Sequence, residues 1–337
     1  MLSICQCAVA KGNKVSPLFQ SNEPLSMTIS APFRTLNWYR GEDRPYQPAT
    51  LTMTDKDGKE IRLDLEVRVR GNFRSQRSVC ANTPLKLNFK RKSLSNTVFD
   101  GENKLKLVTQ CRNSDNYEQY LLLEYIIYRV YQLFTDSSLR VRLVTIHYYD
   151  SEKEKDLGTR KAFFLEDIGR MAKRLDLKEV HEKKLSPDDY DPAMINLVYL
   201  FEYFIGNTDW SSIEGEGDED CCHNIIPLTR KHGNLVPVPY DFDISGLVNP
   251  PYAVVNESLP IHTVKMRLYR GFCQSDAVLR KTIAAFIDKR DAIIALYKNQ
   301  PGLSERSISK SLDFINDFYR TIQDEKKLDR YVTGVCR

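Results

Sequence analysis

Residues 61–70 read Ile-Arg-Leu-Asp-Leu-Glu-Val-Arg-Val-Arg, apolar and charged side chains alternating without a break. In an extended chain successive side chains point to opposite faces, so this stretch is committed to a β-strand. One face is aliphatic and the other carries Arg62, Asp64, Glu66, Arg68 and Arg70. Whatever the chain folds into must supply a sheet with one dry side and one charged side.

Neighbouring segments extend that sheet. Shorter β-like runs occupy 25–29 and 50–53, separated by Pro-rich loops and the turn Asp55-Lys56-Asp57-Gly58. Gly71-Asn72 ends the long strand and opens a loop bearing Arg74 and Arg77. Residues 84–90 then alternate with Lys86, Asn88 and Lys90 on one face, and 103–110 carry Lys104 and Lys106. Three basic strand faces joined by a Gly-Asn turn and an Arg-bearing loop suit a polyphosphate. They also suit a solvated sheet face, where edge lysines deter pairing with other chains.

Residues 116–134 form a long helix, apolar on more than one side and therefore largely buried. Glu118, Glu124 and Arg129 inside it need partners, because an unpaired buried charge is costly. A strand lysine such as Lys106 suits Glu124, and a surface pair with a neighbouring turn is the plainer alternative. A strand at 139–149 and another at 160–166 read as a hairpin ending in Glu166-Asp167. A helix is expected over 192–205, with Pro at its first position and Asp191 as N-cap. Amphipathic helices follow at about 275–298 and 303–330. The order predicts an α+β protein in two lobes, 15–166 β-rich with one buried helix and 167–337 helix-rich.

The chemistry concentrates in 199–249, where apolar scaffold three times delivers polar side chains to irregular backbone. Ile205-Gly206-Asn207 breaks a buried helix into a turn carrying Asp209; His223-Asn224 precedes an apolar run; Val236-Pro237-Val238-Pro239 leads into Tyr240-Asp241-Phe242-Asp243. Loops held by a rigid scaffold are where binding and catalytic groups tend to sit. Phosphoryl transfer needs a carboxylate to orient the attacking hydroxyl and oxygen ligands to hold magnesium against the phosphates. Asp209, Asn224 and Asp241 then read as base, metal ligand and metal ligand. Taken singly, Asn207, Asp209 and Asn224 are better explained as turn or cap residues; the succession of three favours function.

Composition narrows the setting. With 42% hydrophobic and 28% charged residues in 337, the chain has ample core. A net charge of +4 gives no case for nucleic acid. No apolar run reaches the roughly 18 residues of a membrane helix, so no membrane span is expected. Residues 1–14 read as a leader remnant, with Ala8-Val9-Ala10 resembling a cleavage site, or as a disordered terminus. Setting Cys5 and Cys7 aside leaves Cys80, Cys111, Cys221, Cys222, Cys273 and Cys336, an even number that suits disulfides in a secreted or periplasmic protein. Buried thiols of a cytoplasmic protein are the alternative, and adjacent Cys221 and Cys222 do not suit a shared zinc site.

With these residues in view, the chain resembles the CotH-type atypical kinases, a family named for a spore-coat protein. The likeness lies in Val67-Arg68-Val69-Arg70-Gly71-Asn72, in the strand ending Leu165-Glu166-Asp167, in Asn207-x-Asp209 and His223-Asn224, and in Pro239-Tyr240-Asp241-Phe242-Asp243. It covers roughly 60–250 and implies a bilobal protein-kinase-like fold that binds ATP and Mg2+ between its lobes. By position, Asp209 matches the catalytic aspartate, Asn224 the metal-binding asparagine and Asp241 the metal aspartate. Arg70, Gly71 and Asn72 fall in the phosphate-covering loop and Glu166 in the adenine hinge. The chain departs from ordinary kinases in the spacing of the catalytic Asp and Asn, about five positions there and fifteen here (224 minus 209). It lacks GxGxxG, so Lys86 and Lys106 both stand as the phosphate-binding lysine.

Two functions are therefore expected. One is a phosphotransferase moving the γ-phosphate to an unidentified protein or small-molecule hydroxyl; the other is a secreted recognition or scaffold domain without chemistry. The acidic run 214–220 as a calcium loop lacks the EF-hand spacing and reads better as a solvated loop.

Overall fold

The structure is a computed structural model that describes residues 15–55, 57–230 and 233–337. Strands β1 (Leu25–Ala31), β2 (Gln47–Thr54), β3 (Glu60–Val69), β4 (Leu85–Phe89), β5 (Lys104–Thr109), β6 (Val141–Asp150) and β7 (Lys155–Leu165) form one sheet. Its order is β1-β2-β3-β4-β5-β7-β6, and it closes on itself. Closure is made by β1 and β6, which run parallel from Leu25 opposite Val144 to Ala31 opposite Asp150. The other neighbours are antiparallel.

The alternation in β3 does what its period requires: Leu63, Leu65, Val67 and Val69 are buried while the charged residues between them face outward. Leu51, Leu87, Leu107, Ile146 and Phe164 fill the same interior. Short helix α1 (Phe33–Trp38) follows β1.

A second core lies beside the barrel. Helix α2 (Asp115–Tyr131) packs on β6 and β7 with one face and on α5 (Asp276–Lys298) with another, so it is apolar nearly all round. Helix α4 (Pro192–Ile205) begins where the Asp191 carboxylate accepts the N–H groups of Ala193 and Met194. It ends at Gly206, whose φ of 67° is left-handed; a Cβ there would meet Phe314 at 2.9 Å. Phe204, Phe286 and Phe318, the last from α6 (Glu305–Ile322), interlock at centroid distances of 5.0 to 5.5 Å. Helix α3 (Ile168–Arg174) and a small sheet of β8 (Lys178–Glu179), β9 (Ile225–Thr229) and β10 (Val236–Pro239) complete the set used below.

The bilobal protein-kinase-like fold, with a β-rich N-lobe and a helical C-lobe, is not the one formed. Seven strands close into a mixed barrel, and the closing pair joins residues more than a hundred positions apart. Alternation announces a strand but not its partner; pairing is by main-chain hydrogen bonds that leave no mark in side-chain identity.

Among the described residues three disulfides join Cys80 to Cys111, Cys221 to Cys222 and Cys273 to Cys336. Cys5, Cys7 and the leader reading of 1–14 lie outside the described residues. No helix is long and apolar enough to cross a membrane among the described residues.

Candidate active site

A cleft of about 560 Å³ lies between the barrel and the helical part. It is lined from one side by Arg70, Gly71 and Asn72 after β3, Lys106 on β5 and Glu124 on α2, and from the other by Asp209, Asn224 and Asp241. Eight of the ten residues proposed from the sequence for nucleotide, metal and catalysis thus share one cavity.

Each is placed by something specific. After Gly206, the Asn207 side chain accepts the Asp209 N–H at 3.0 Å, and the Asn207 carbonyl accepts the Trp210 indole at 3.1 Å, which fixes the turn. Arg270 holds the carbonyls of Thr208 and Trp210. Asn224 immediately precedes β9, and its Nδ2 donates to the Asp209 carbonyl at 2.7 Å and to Oδ2 at 3.0 Å. His223 Nε2 lies 3.0 Å from Asp209 Oδ1. Between Asp209 and Asn224 the chain makes its excursion through 214–220 and returns; Ser211 N–H to the His223 carbonyl, 2.9 Å, closes the neck.

After β10, Phe242 is fully buried against Tyr128 and Phe201, with centroids 4.7 and 5.7 Å away. That anchor turns Asp241 and Asp243 towards the cleft. Asn224 and Asp241 both have left-handed backbones, φ of 53° and 62°, which non-glycine residues adopt at some cost and which recur at functional sites.

The opposite wall is held by Arg74, which belongs to the Arg-bearing loop expected to cradle a polyphosphate and is paired with carboxylates instead. Its guanidinium lies 3.4 Å from Glu124 and 3.7 Å from Asp243, and it donates to the Thr109 carbonyl at 2.6 Å. The helix glutamate is therefore paired with a loop arginine rather than with Lys106. Burial, more than the opposing pull of Arg74, pushes the Glu124 carboxyl well above the usual carboxylate range. Burial and the nearby Asp241 push Asp243 up to about 6, against Arg74 and the Tyr252 hydroxyl that donates to it at 3.1 Å. Two buried carboxyls share one guanidinium, so this pair holds a proton more readily than ordinary carboxylates.

Lys106 stands apart. Arg68, Lys86 and Lys106 lie directly opposite one another on β3, β4 and β5, a row of like charges that a sheet tolerates poorly. Among the described residues Lys106 makes no ion pair or hydrogen bond, and its Nζ sits 5.8 Å from the centre of the Tyr240 ring. Burial, reinforced by Arg70, lowers its pKa to about 8. Lys86 lies outside the lining, so Lys106 is the lysine that reaches the cleft. Glu166 is outside it too: Arg174 donates to its carboxylate at 2.9 and 3.0 Å and the Arg140 N–H at 3.0 Å, a clamp between α3 and the start of β6.

The cleft also assembles His223, Glu216, Tyr128, Tyr240, Asp243 and Tyr252, none of which was assigned from sequence. Asp209, Glu216 and His223 bring one ligand atom each to within 4.8 Å of one another. The doubled acid in Asp241-Phe242-Asp243 was the one available signal for Asp243; nothing local announces the tyrosines.

Fold and site together define a closed β-barrel joined to a helical unit, with a polar cleft that sets Arg70 and Lys106, neither in an ion pair among the described residues, opposite a carboxylate and amide cluster. No known protein family, no curated protein and no solved structure matches the chain.

Proposed function

We propose that the cleft binds ATP with a divalent cation and transfers its terminal phosphoryl group to a hydroxyl. One observation carries the reading: Asp209, Asn224 and Asp241 line the same cavity as Lys106 and Arg70, neither of which makes an ion pair or side-chain hydrogen bond among the described residues. A polyphosphate is the ligand that satisfies unpaired cations on one wall and, through a metal ion, unpaired oxygens on the other. The motif likeness to the CotH-type kinases supports the assignment of roles.

The donor set fits a hard cation. Asp241's carboxylate accepts no hydrogen bond from the described residues, and Asn224, whose Nδ2 is spent on Asp209, keeps its carbonyl oxygen for a ligand. Mg2+ held by these two oxygens would neutralise charge on the phosphates. Lys106 and Arg70 bind and orient the polyphosphate, and Gly71, at a φ of 83°, lets the backbone turn over it. Asp209, whose side chain is 40% exposed, accepts the proton of the attacking hydroxyl as its oxygen bonds to the γ-phosphorus and the bridging P–O bond breaks to release the diphosphate. His223 and Asn224 orient the Asp209 oxygens.

We also infer export to an extracellular or periplasmic setting, since three disulfides suit an oxidising compartment. Counting free thiols before and after reduction tests it. For the activity, incubation with labelled ATP, alone and with a protein mixture, should give Mg2+-dependent label transfer that Asp209→Asn abolishes. Nucleotide binding without any transfer would assign the cleft to recognition, and Mg2+-dependent binding unchanged in Asp241→Ala would remove the metal assignment.

A further inference from the structure

A second cavity, of about 620 Å³, adjoins the cleft. The two share a wall: α2 contributes Glu124 and Tyr128 to the cleft but Tyr120 and Leu123 to this cavity, and the segment after Asp243 lines it through Gly246 to Asn249. Its far wall is α6 from Arg306 to Asp317.

Charge is what sets this cavity apart. Lys265, Arg306 and Lys310 line it, and none forms an ion pair or side-chain hydrogen bond among the described residues. Of the two carboxylates present, Asp317 is already taken by Arg267 and Arg320, both at 3.2 Å, which leaves Asp313 against three cations. Ser311 also lines it, only 3% exposed, and its hydroxyl has no partner among the described residues. That hydroxyl is not sealed from solvent: it opens on the cavity and is free to meet a ligand atom there. The positive end of the α6 dipole lies at the same place.

We propose that this cavity is a binding site for a small phosphorylated molecule, distinct from the cleft and independent of the phosphotransferase reading. Three cations around one cavity exceed what a single carboxylate needs, whereas a phosphate carries the charge and the acceptor oxygens for Lys, Arg and a serine hydroxyl together. The volume leaves room for the organic part of such a ligand.

The probe is inorganic pyrophosphate, titrated calorimetrically without divalent ions into the full chain carrying Arg70→Met and Lys106→Met, which silence the cleft. Binding should persist in this background. Adding Arg306→Glu and Lys310→Glu, both exposed and so compatible with folding as checked by circular dichroism, should weaken it by at least about a hundredfold, roughly tenfold for each charged contact. Ser311→Ala should weaken it less, and the effect of salt should shrink in the double glutamate variant. No binding in the cleft-silenced chain, or binding indifferent to the glutamates, overturns the proposal. The Arg306→Glu, Lys310→Glu chain with an intact cleft should keep Mg2+-dependent ATP binding, so the two sites fail or stand separately.

Discussion

The Tyr128 hydroxyl accepts the main-chain N–H of Asp241 at 2.9 Å. A fully buried tyrosine on α2 thus fixes the backbone of the residue proposed to hold the metal, at the point where that backbone is left-handed. Tyr128→Phe keeps the ring packed on Phe163 and Phe242 but strands the N–H. An unpaired donor costs about 1–3 kcal/mol, so thermal unfolding should shift down modestly. Mg2+-dependent ATP affinity should fall about tenfold, the equivalent of roughly 1.4 kcal/mol. A variant that loses stability and keeps its affinity would show that Tyr128 merely packs.

Lys106 should set the pH range of the proposed anion binding. With its pKa lowered to about 8 by burial, and with Arg70 and Lys86 adding to the effect, it is charged at neutral pH and neutral one to two units higher. A bound polyphosphate favours the charged form, so binding takes up a proton near pH 8 and weakens above it. In the empty protein the sign is reversed: from about 8 up to the unfolded value near 10.4 the unfolded chain holds more protons, so this group's contribution to stability rises with pH. Calorimetry of ATP binding from pH 7 to 9, in buffers of different ionisation enthalpy, should show the uptake in the native chain and not in Lys106→Met. Equal pH profiles for the two would exclude Lys106 from the anion site.

What could be seen in the sequence and what could not divides along physical lines. The strand at β3 and the helix at α4 were legible because period and capping are local: Leu63 to Val69 on one face, Asp191 and Gly206 at the two ends. That Asp209, Asn224 and Asp241 would meet in one cavity was legible because a polar residue at the edge of each apolar run is unusual as a set. Barrel closure was not, since the pairing of Leu25 with Val144 depends on main-chain groups that every residue carries. Glu124 was known to need a cation, but whether Lys106 or Arg74 supplies it depends on how the 71–82 loop folds back across β5. Lys86 and Lys106 are cross-strand neighbours of the same type, and only the position of the cleft separates them.

His223 links stability to pH through Asp209. Burial alone would lower the imidazole pKa, but the hydrogen bond and charge of Asp209, with Glu216 and Asp241, raise it above the ordinary value. A raised folded pKa stabilises fully below the unfolded value of about 6.5 and loses that contribution as pH climbs through the folded value. His223→Gln should therefore destabilise the protein more at pH 5.5 than at pH 8.5 in denaturant unfolding. A difference independent of pH would mean that the imidazole acts by packing and not by charge. Because Mn2+ or Zn2+ suits the Asp209, Glu216 and His223 donors, either ion should flatten the native profile if it binds there.

The Cys80–Cys111 disulfide secures the loop that carries Gly71, Asn72 and Arg74 to the end of β5. It is not alone there. Asn82 N–H donates to the Cys111 carbonyl at 2.9 Å, and Arg112 donates to the carbonyls of Ser78 at 2.8 Å and Val79 at 3.1 Å. These bonds survive without the sulfur link, so the loop keeps its folded course while the unfolded chain gains freedom. For a separation of 31 residues, chain entropy puts that gain at about 3–4 kcal/mol. Cys80→Ser with Cys111→Ser should lower the free energy of unfolding by about that amount while ATP affinity at 25 °C changes by less than about threefold, under roughly 0.7 kcal/mol. A large loss of affinity with little loss of stability would mean the reverse, that the disulfide strains the loop into its binding shape and the hydrogen bonds do not hold it.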